Sequence, residues 1–72
     1  MFDKVLLGQR LRSVRMKRGE PQSALAVLLG VSVTQISDIE NGKTGTTLER
    51  LVLICQHYKI SADYLLGLSD RP

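Results

Sequence analysis

Cysteine and aromatic residues are scarce in this chain. It has one cysteine, Cys55, no tryptophan, two tyrosines and one phenylalanine in 72 residues. A lone thiol excludes an intrachain disulfide, so packing must hold the fold, and a reducing cytoplasm is the expected home. Cys55 falls at helical spacing with Leu51, Ile54 and Tyr58, the pattern of a small buried residue rather than a redox centre. With so few rings, the core must be built from Leu, Ile and Val. Histidine occurs once, as His57, with no Cys or His at ligand spacing, so no metal and no cofactor are expected. Neither a G-x-S-x-G turn nor a glycine-rich phosphate loop is present, and catalysis is not expected. Long apolar runs are missing as well. The longest mostly apolar stretch, Ala24 to Val33, is far below the roughly 20 residues of a membrane span, so no membrane partner is expected. Val5 to Leu7 is too short for the apolar segment of a signal peptide.

Acidic residues are the minority charge, seven against ten Lys and Arg, for a net +3. The imbalance is local. Residues 1 to 18 hold Lys4, Arg10, Arg12, Arg15, Lys17 and Arg18 against Asp3 alone, which gives +5 and leaves −2 for the remainder. Part of that charge is an ordinary solvated helix face, but the excess favours a polyanionic partner. A chain of this length makes one domain and buries only about 60% of its unfolded surface.

What is present is helical periodicity. Helix 1 is expected over about residues 4 to 18, with Leu7, Leu11 and Val14 inward and Gly19 as its stop. Helix 2 follows at 22 to 29 and ends at Gly30, which can take a positive φ. Ser32 and Gln35 have capping-box spacing for helix 3 at 33 to 41. Thr46 and Glu49 have the same spacing for helix 4, roughly 47 to 58, which is expected to pack Leu48, Leu51, Ile54 and Cys55. Ser61 caps a short helix 5 ending at Gly67, with Asp63 in its favourable first turn. No alternating strand pattern appears. The expectation is an all-α, compact five-helix bundle over residues 1 to 67, with 68 to 72 as a frayed tail or the start of a linker.

Helices 2 and 3, joined by a short turn containing Gly30, form the supersecondary unit that lays its second helix in a DNA major groove. At roughly 100° per residue, Ile36, Ile39 and Glu40 share one side of helix 3. Thr34, Asp38 and Asn41 point the other way, flanked by Val33 and Ser37. That outward set is small and polar rather than laced with Lys and Glu pairs, a face suited to lying against something.

Gly8, Arg10, Leu11, Arg15, Gly19, Gln22, Leu25-Ala26, Leu29-Gly30-Val31-Ser32, Ile36-Ser37, Glu40-Asn41-Gly42-Lys43, Leu51, Ile54 and the run Ile60 to Gly67 resemble the phage-repressor family of helix-turn-helix proteins, the Cro and lambda-repressor-like or XRE group. The resemblance spans about residues 5 to 67. It departs at Glu20-Pro21, where such proteins usually carry an apolar residue followed by Ser or Thr, and at Thr44-Gly45-Thr46-Thr47, which lacks the family's frequent proline or extra basic residues.

The resemblance implies a sequence-specific double-stranded DNA-binding regulator, most simply a repressor. In it Val33, Thr34, Ser37 and Asp38 would read bases, and Gln22, Ser32, Asn41, Lys43 and Thr44 would hold phosphates. It further implies an ion pair between Arg15 and Glu40, and a homodimer on an inverted-repeat operator that pairs through Leu65, Leu66 and Leu68. Two other readings stand beside this one: a protein-interaction module such as the antitoxin half of a toxin-antitoxin pair, and the N-terminal DNA-binding piece of a larger regulator.

Overall fold

A computed structural model describes residues 1 to 72, and every helix but α2 begins where a short polar side chain takes the first orphan amides. Asp3 Oδ1 accepts from the amides of Val5 and Leu6, both at 3.0 Å, and opens α1, Lys4–Lys17. Helix α2, Gln22–Leu29, starts after Pro21 with no side-chain cap. Ser32 and Gln35 exchange hydrogen bonds of 3.1 and 2.9 Å at the head of α3, Val33–Glu40. Thr47 caps α4, Leu48–Tyr58, by accepting from Arg50 N at 3.2 Å. Ser61 caps α5, Ala62–Leu66, by accepting from Tyr64 N at 3.0 Å.

Several local expectations need correction. Helix α1 stops at Lys17, and α3 stops at Glu40 with Asn41 as its cap. The cap of α4 is Thr47 rather than Thr46, whose hydroxyl oxygen is enclosed without a partner. Leu48, the first residue of α4, points outward, 80% exposed, and does not join the core.

The core gathers one or two large aliphatics from each helix: Leu7 and Leu11 from α1, Leu25 from α2, Ile36 from α3, Ile54 from α4 and Leu65 from α5 are all fully buried. Tyr58 adds the only buried ring. Helix α1 is the hub, packing on both α3 and α5, and α2 packs on α3 and α4. Residues 68 to 72 run back over the start of α5, where the Ser61 amide donates to the Pro72 carbonyl at 2.9 Å.

Gly8 makes the approach of α1 to α3 possible. A β-carbon there would stand 2.3 Å from the Ile39 carbonyl oxygen and 2.7 Å from that of Glu40. Both obstacles are backbone, so neither can swing aside. Gly8→Ala therefore sets a helix-propensity gain of up to about 1 kcal/mol against an overpacking cost of about 1–3 kcal/mol or more. The clash should win. Thermal denaturation is expected to show a fall of several degrees, at about 4–8 °C per kcal/mol for a domain of this size; an unchanged or higher midpoint would mean the helices separate without cost.

Candidate nucleic-acid interface

The axes of α2 and α3 meet at 106°, within the corner that lets one helix enter a groove while the other crosses the backbone. Gly30, at φ 68°, makes the corner, and the Ser32–Gln35 box starts the second helix two residues later. Ile36, Ile39 and Glu40 bury one side of α3. The opposite side leaves Thr34 and Asn41 exposed, Val33 46% exposed, and Ser37 and Asp38 half-buried. Val33, Thr34, Ser37 and Asp38 are thus brought together on one open strip.

Some of these side chains are already ordered. Asn41 Nδ2 donates to Ser37 Oγ at 3.2 Å, which engages one amide hydrogen. The loop after α3 is held twice: Lys43 N donates to the Asp38 carbonyl at 2.9 Å, and Lys4 Nζ donates to the Lys43 carbonyl at 3.3 Å. Lys43 and Thr44 remain exposed beside it. Gly42, at φ 75°, turns the chain against Val5 of α1. Ser32 is exposed but its hydroxyl is engaged in the cap.

Behind the strip lies a charged hub. Arg15 Nε donates to Glu40 Oε2 at 2.6 Å and Nη2 donates to Oε1 at 3.0 Å, the bidentate arrangement of a guanidinium on a carboxylate. Their side chains are only 10% and 2% exposed. Arg15 Nη1 donates to the Glu20 carbonyl at 2.7 Å, and Gln22 Nε2 donates to Glu40 Oε1 at 3.1 Å. Gln22 at the head of α2 is therefore tied to the last turn of α3 by its own side chain. The Glu40 contact pushes the Arg15 pKa up, so this charge is permanent.

A second cluster was not legible in the sequence. His57 Nε2 lies 2.8 and 3.1 Å from the two Glu20 carboxylate oxygens, and the Tyr58 hydroxyl donates to Glu20 Oε2 at 3.0 Å. Arg18 Nη2 donates to the Tyr58 carbonyl at 3.0 Å. The bond to His57 is the main cause holding Glu20 below the usual carboxylate range. Burial first, and then the Glu20 bond, push the Tyr58 phenol up, and burial raises the Cys55 thiol. These partners sit 37 and 38 residues apart, and no spacing rule links a loop acid to a helix that distant. No three His, Cys, Asp or Glu side chains converge as a metal-binding group.

One member of the expected pairing set is withdrawn. Leu65 is 0% exposed, a core residue on the inward side of α5, and cannot meet another molecule. Leu66 is half-buried and Leu68 is 75% exposed. They border an apolar depression together with Met1 and Phe2.

Comparison with known proteins decides the family. The helix-turn-helix family matches residues 11–65. The chain belongs to the phage-repressor-like helix-turn-helix family. It is 33% identical over 69 residues to the transcriptional regulator PrpR of Mycobacterium tuberculosis, covering 96% of this chain and 14% of that protein. It is 38% identical over 61 residues to repressor protein C2 of Salmonella phage P22, covering 85% of this chain and 28% of that one. The chain thus spans well under two thirds of the length of either relative. The crystal structure of the P22 c2 repressor with synthetic operator 9T superposes with a TM-score of 0.80 at 35% identity, over 88% of this chain and 96% of that one.

The hub and the Glu20 cluster of this helix-turn-helix domain each generate a prediction. Removing one partner of a buried ion pair strands the other charge and costs roughly 3–5 kcal/mol, so Glu40→Ala should destabilise far more than Glu49→Ala at an exposed site. A double-mutant cycle on Arg15 and Glu40 should give coupling above about 1 kcal/mol; coupling near zero would make them independent charges. The depressed Glu20 carboxyl contributes stability that is present above its unfolded value and lost as pH falls through the lower folded value. Urea midpoints measured from neutral pH down to about pH 3, below the free glutamate value, should show Glu20→Gln starting less stable and converging on the wild type. A constant gap across that range would show that the carboxylate charge is irrelevant.

Proposed function

We propose that this chain is a sequence-specific double-stranded DNA-binding regulator, acting as a repressor, that reads the major groove with α3. The observation that carries the reading is the exposed strip Val33, Thr34, Ser37 and Asp38 on a helix set at 106° to α2, with groups able to hold phosphate at both ends. It is supported by the likeness to the P22 repressor, a protein solved on an operator.

Each residue has a chemical assignment. Val33 packs on a thymine methyl, Thr34 and Ser37 hydrogen-bond base edges, and Asp38 accepts from a cytosine N4 amine. Gln22, pre-set by Glu40, holds one phosphate at the head of α2, where amides and dipole favour an anion. Asn41, Lys43 and Thr44 hold another beyond α3. Ser32 serves chiefly as the cap that keeps Val33 and Thr34 in register, with only its exposed flank toward the backbone. The protein works by binding and needs no cofactor, in the cytoplasm where its operator lies.

One such domain reads too few bases for selectivity, so we further infer a two-fold pair on an inverted repeat, its recognition helices about 34 to 36 Å apart. The domain measures 27 × 23 × 20 Å across its Cα atoms, so two copies one turn apart have their side chains within touching distance at the dyad. The end near the head of α2 is polar, with Glu20 and His57 paired there. The end near the loop after α3 carries Met1, Phe2, Leu66 and Leu68, and Gly45 of that loop sits beside the Phe2 ring. The apolar end is the one that faces the second copy.

An operator selected from random duplex DNA provides the test. Affinity should fall steeply with salt as phosphates release counterions. Lys43→Ala should weaken all sequences alike and lower the salt slope by about 1, whereas Thr34→Ala and Asp38→Ala should relax preference at one or two positions at a cost of about 1–3 kcal/mol each. Salt-independent binding, or uniform losses for all three variants, would remove α3 as the reading element. Sedimentation should find two chains per full site; one chain at saturation would refute the pair.

A further inference from the structure

We infer that Arg10 is a positioning residue for self-association: its guanidinium fixes the segment that carries Leu68 onto α1 and α5, so that the apolar end is already shaped before a second copy meets it. The inference rests on the pairing face proposed above. Arg10 takes no part in the α3 strip or in the Arg15 hub, yet its side chain is only 17% exposed. Its guanidinium carbon lies 4.3 Å above the centre of the Tyr64 ring. Nη1 donates to the carbonyls of Tyr64 and of Ser69, the latter at 2.7 Å, and Nη2 donates to Asp70 Oδ1 at 3.1 Å.

Asp70 is fully exposed, so its charge is screened by water and adds little. The two carbonyls and the ring do the holding. They lie on either side of Leu68, with Tyr64 on the helix before it and Ser69 immediately after. The Leu68 amide itself donates to the Asp63 carbonyl at 2.8 Å, and the chain beyond is held again where Ser61 Oγ donates to the Arg71 carbonyl at 3.3 Å. Leu68 is thereby fixed at both flanks while its side chain stays in water, 75% exposed. An apolar side chain held out on an ordered backbone loses little further freedom on meeting a partner, which is how preorganisation raises affinity.

Arginine is needed for this geometry. A planar fork can stack on an aromatic face and still send separate donors to two carbonyls, whereas a lysine ammonium is a point that cannot do both. Residues 68 to 72 look like a polar tail in sequence because their anchor, Arg10, lies 59 and 60 positions from the Ser69 and Asp70 groups it holds.

The test uses the 72-residue chain with two duplexes: an inverted repeat selected by the wild type from random DNA, and the same duplex with one half scrambled. Arg10→Lys should bind the scrambled duplex within about twofold of the wild type but lose about tenfold or more on the inverted repeat, as ordering of the tail is charged to association. Leu68→Asp should show the same split. Thermal unfolding establishes that each variant is folded. Should Arg10→Lys fail that check, Tyr64→Leu, which removes the stacking face and leaves Arg10 and every backbone bond in place, carries the comparison in its stead. A general loss of stability lowers binding to both duplexes together and would overturn the assignment, as would an unchanged inverted-repeat affinity in the Arg10 and Tyr64 variants while Leu68→Asp lowers it. If Leu68→Asp itself has no effect, the pairing face falls, and the role of Arg10 falls with it.

Discussion

A carboxylate on the last turn of a helix faces the negative end of the dipole, and Glu40 is placed there, 2% exposed in its side chain. Left alone this would be one of the worst positions in the molecule for a charge. Arg15 makes it tenable with two donors, Gln22 adds a third, and Arg15 Nη1 donates to the Glu20 carbonyl. Each group is useful only if the others are in place, so the pair fixes three things together: the angle of α1 to α3, the loop entering α2, and the pose of the first side chain of α2. A buried pair of this kind returns little net stability once desolvation is counted. Its value in a domain with so small a core is that it permits one arrangement and penalises the rest.

That arrangement also explains why α1, which touches no base in the proposed reading, holds most of the positive charge. Arg15 is consumed by the hub, Arg10 by the tail, Arg18 by the end of α4, and Lys4 by the loop after α3. Four of the six basic side chains in residues 1 to 18 are structural connectors. Only Arg12 and Lys17 have no protein partner. Net charge pointed toward a polyanion, but the particular residues that create the excess are mostly spent within the fold, and on the proposed reading the exposed groups around α3 face the polyanion instead.

What could be read from sequence was local chemistry. The Ser32 and Ser61 caps, the glycine stops and the buried side of α3 all depend on residues within four positions of one another, where spacing dictates geometry. The same rule misplaced the cap of α4, because Thr46 and Thr47 both offer a hydroxyl and only the packing of Leu51 and Ile54 selects between them. Leu65, Leu66 and Leu68 are chemically alike, and which of them turns inward depends on how a five-residue helix packs against α1 and α4. The Glu20 cluster and the Arg10 anchor were out of reach, since each joins residues more than 35 apart.

Glu20 illustrates how a departure from family habit can be absorbed. A carboxylate one residue before Pro21, close to where α2 offers its free amides, would repel a phosphate if it pointed outward. It is turned inward instead, held by His57 and Tyr58, while its carbonyl is taken by Arg15. The acid thus fastens the α1–α2 loop to α4, a contact that the usual apolar residue would have made by burial. The head of α2 lacks a capping hydroxyl; the Ala24 amide is taken by the Pro21 carbonyl at 3.1 Å, and the Gln22 and Ser23 amides before it have no side-chain cap and are open to an anion. On the proposed reading, a weak cap and an inward acid are two halves of one solution: the loop is held from behind, and the helix terminus is left free for DNA.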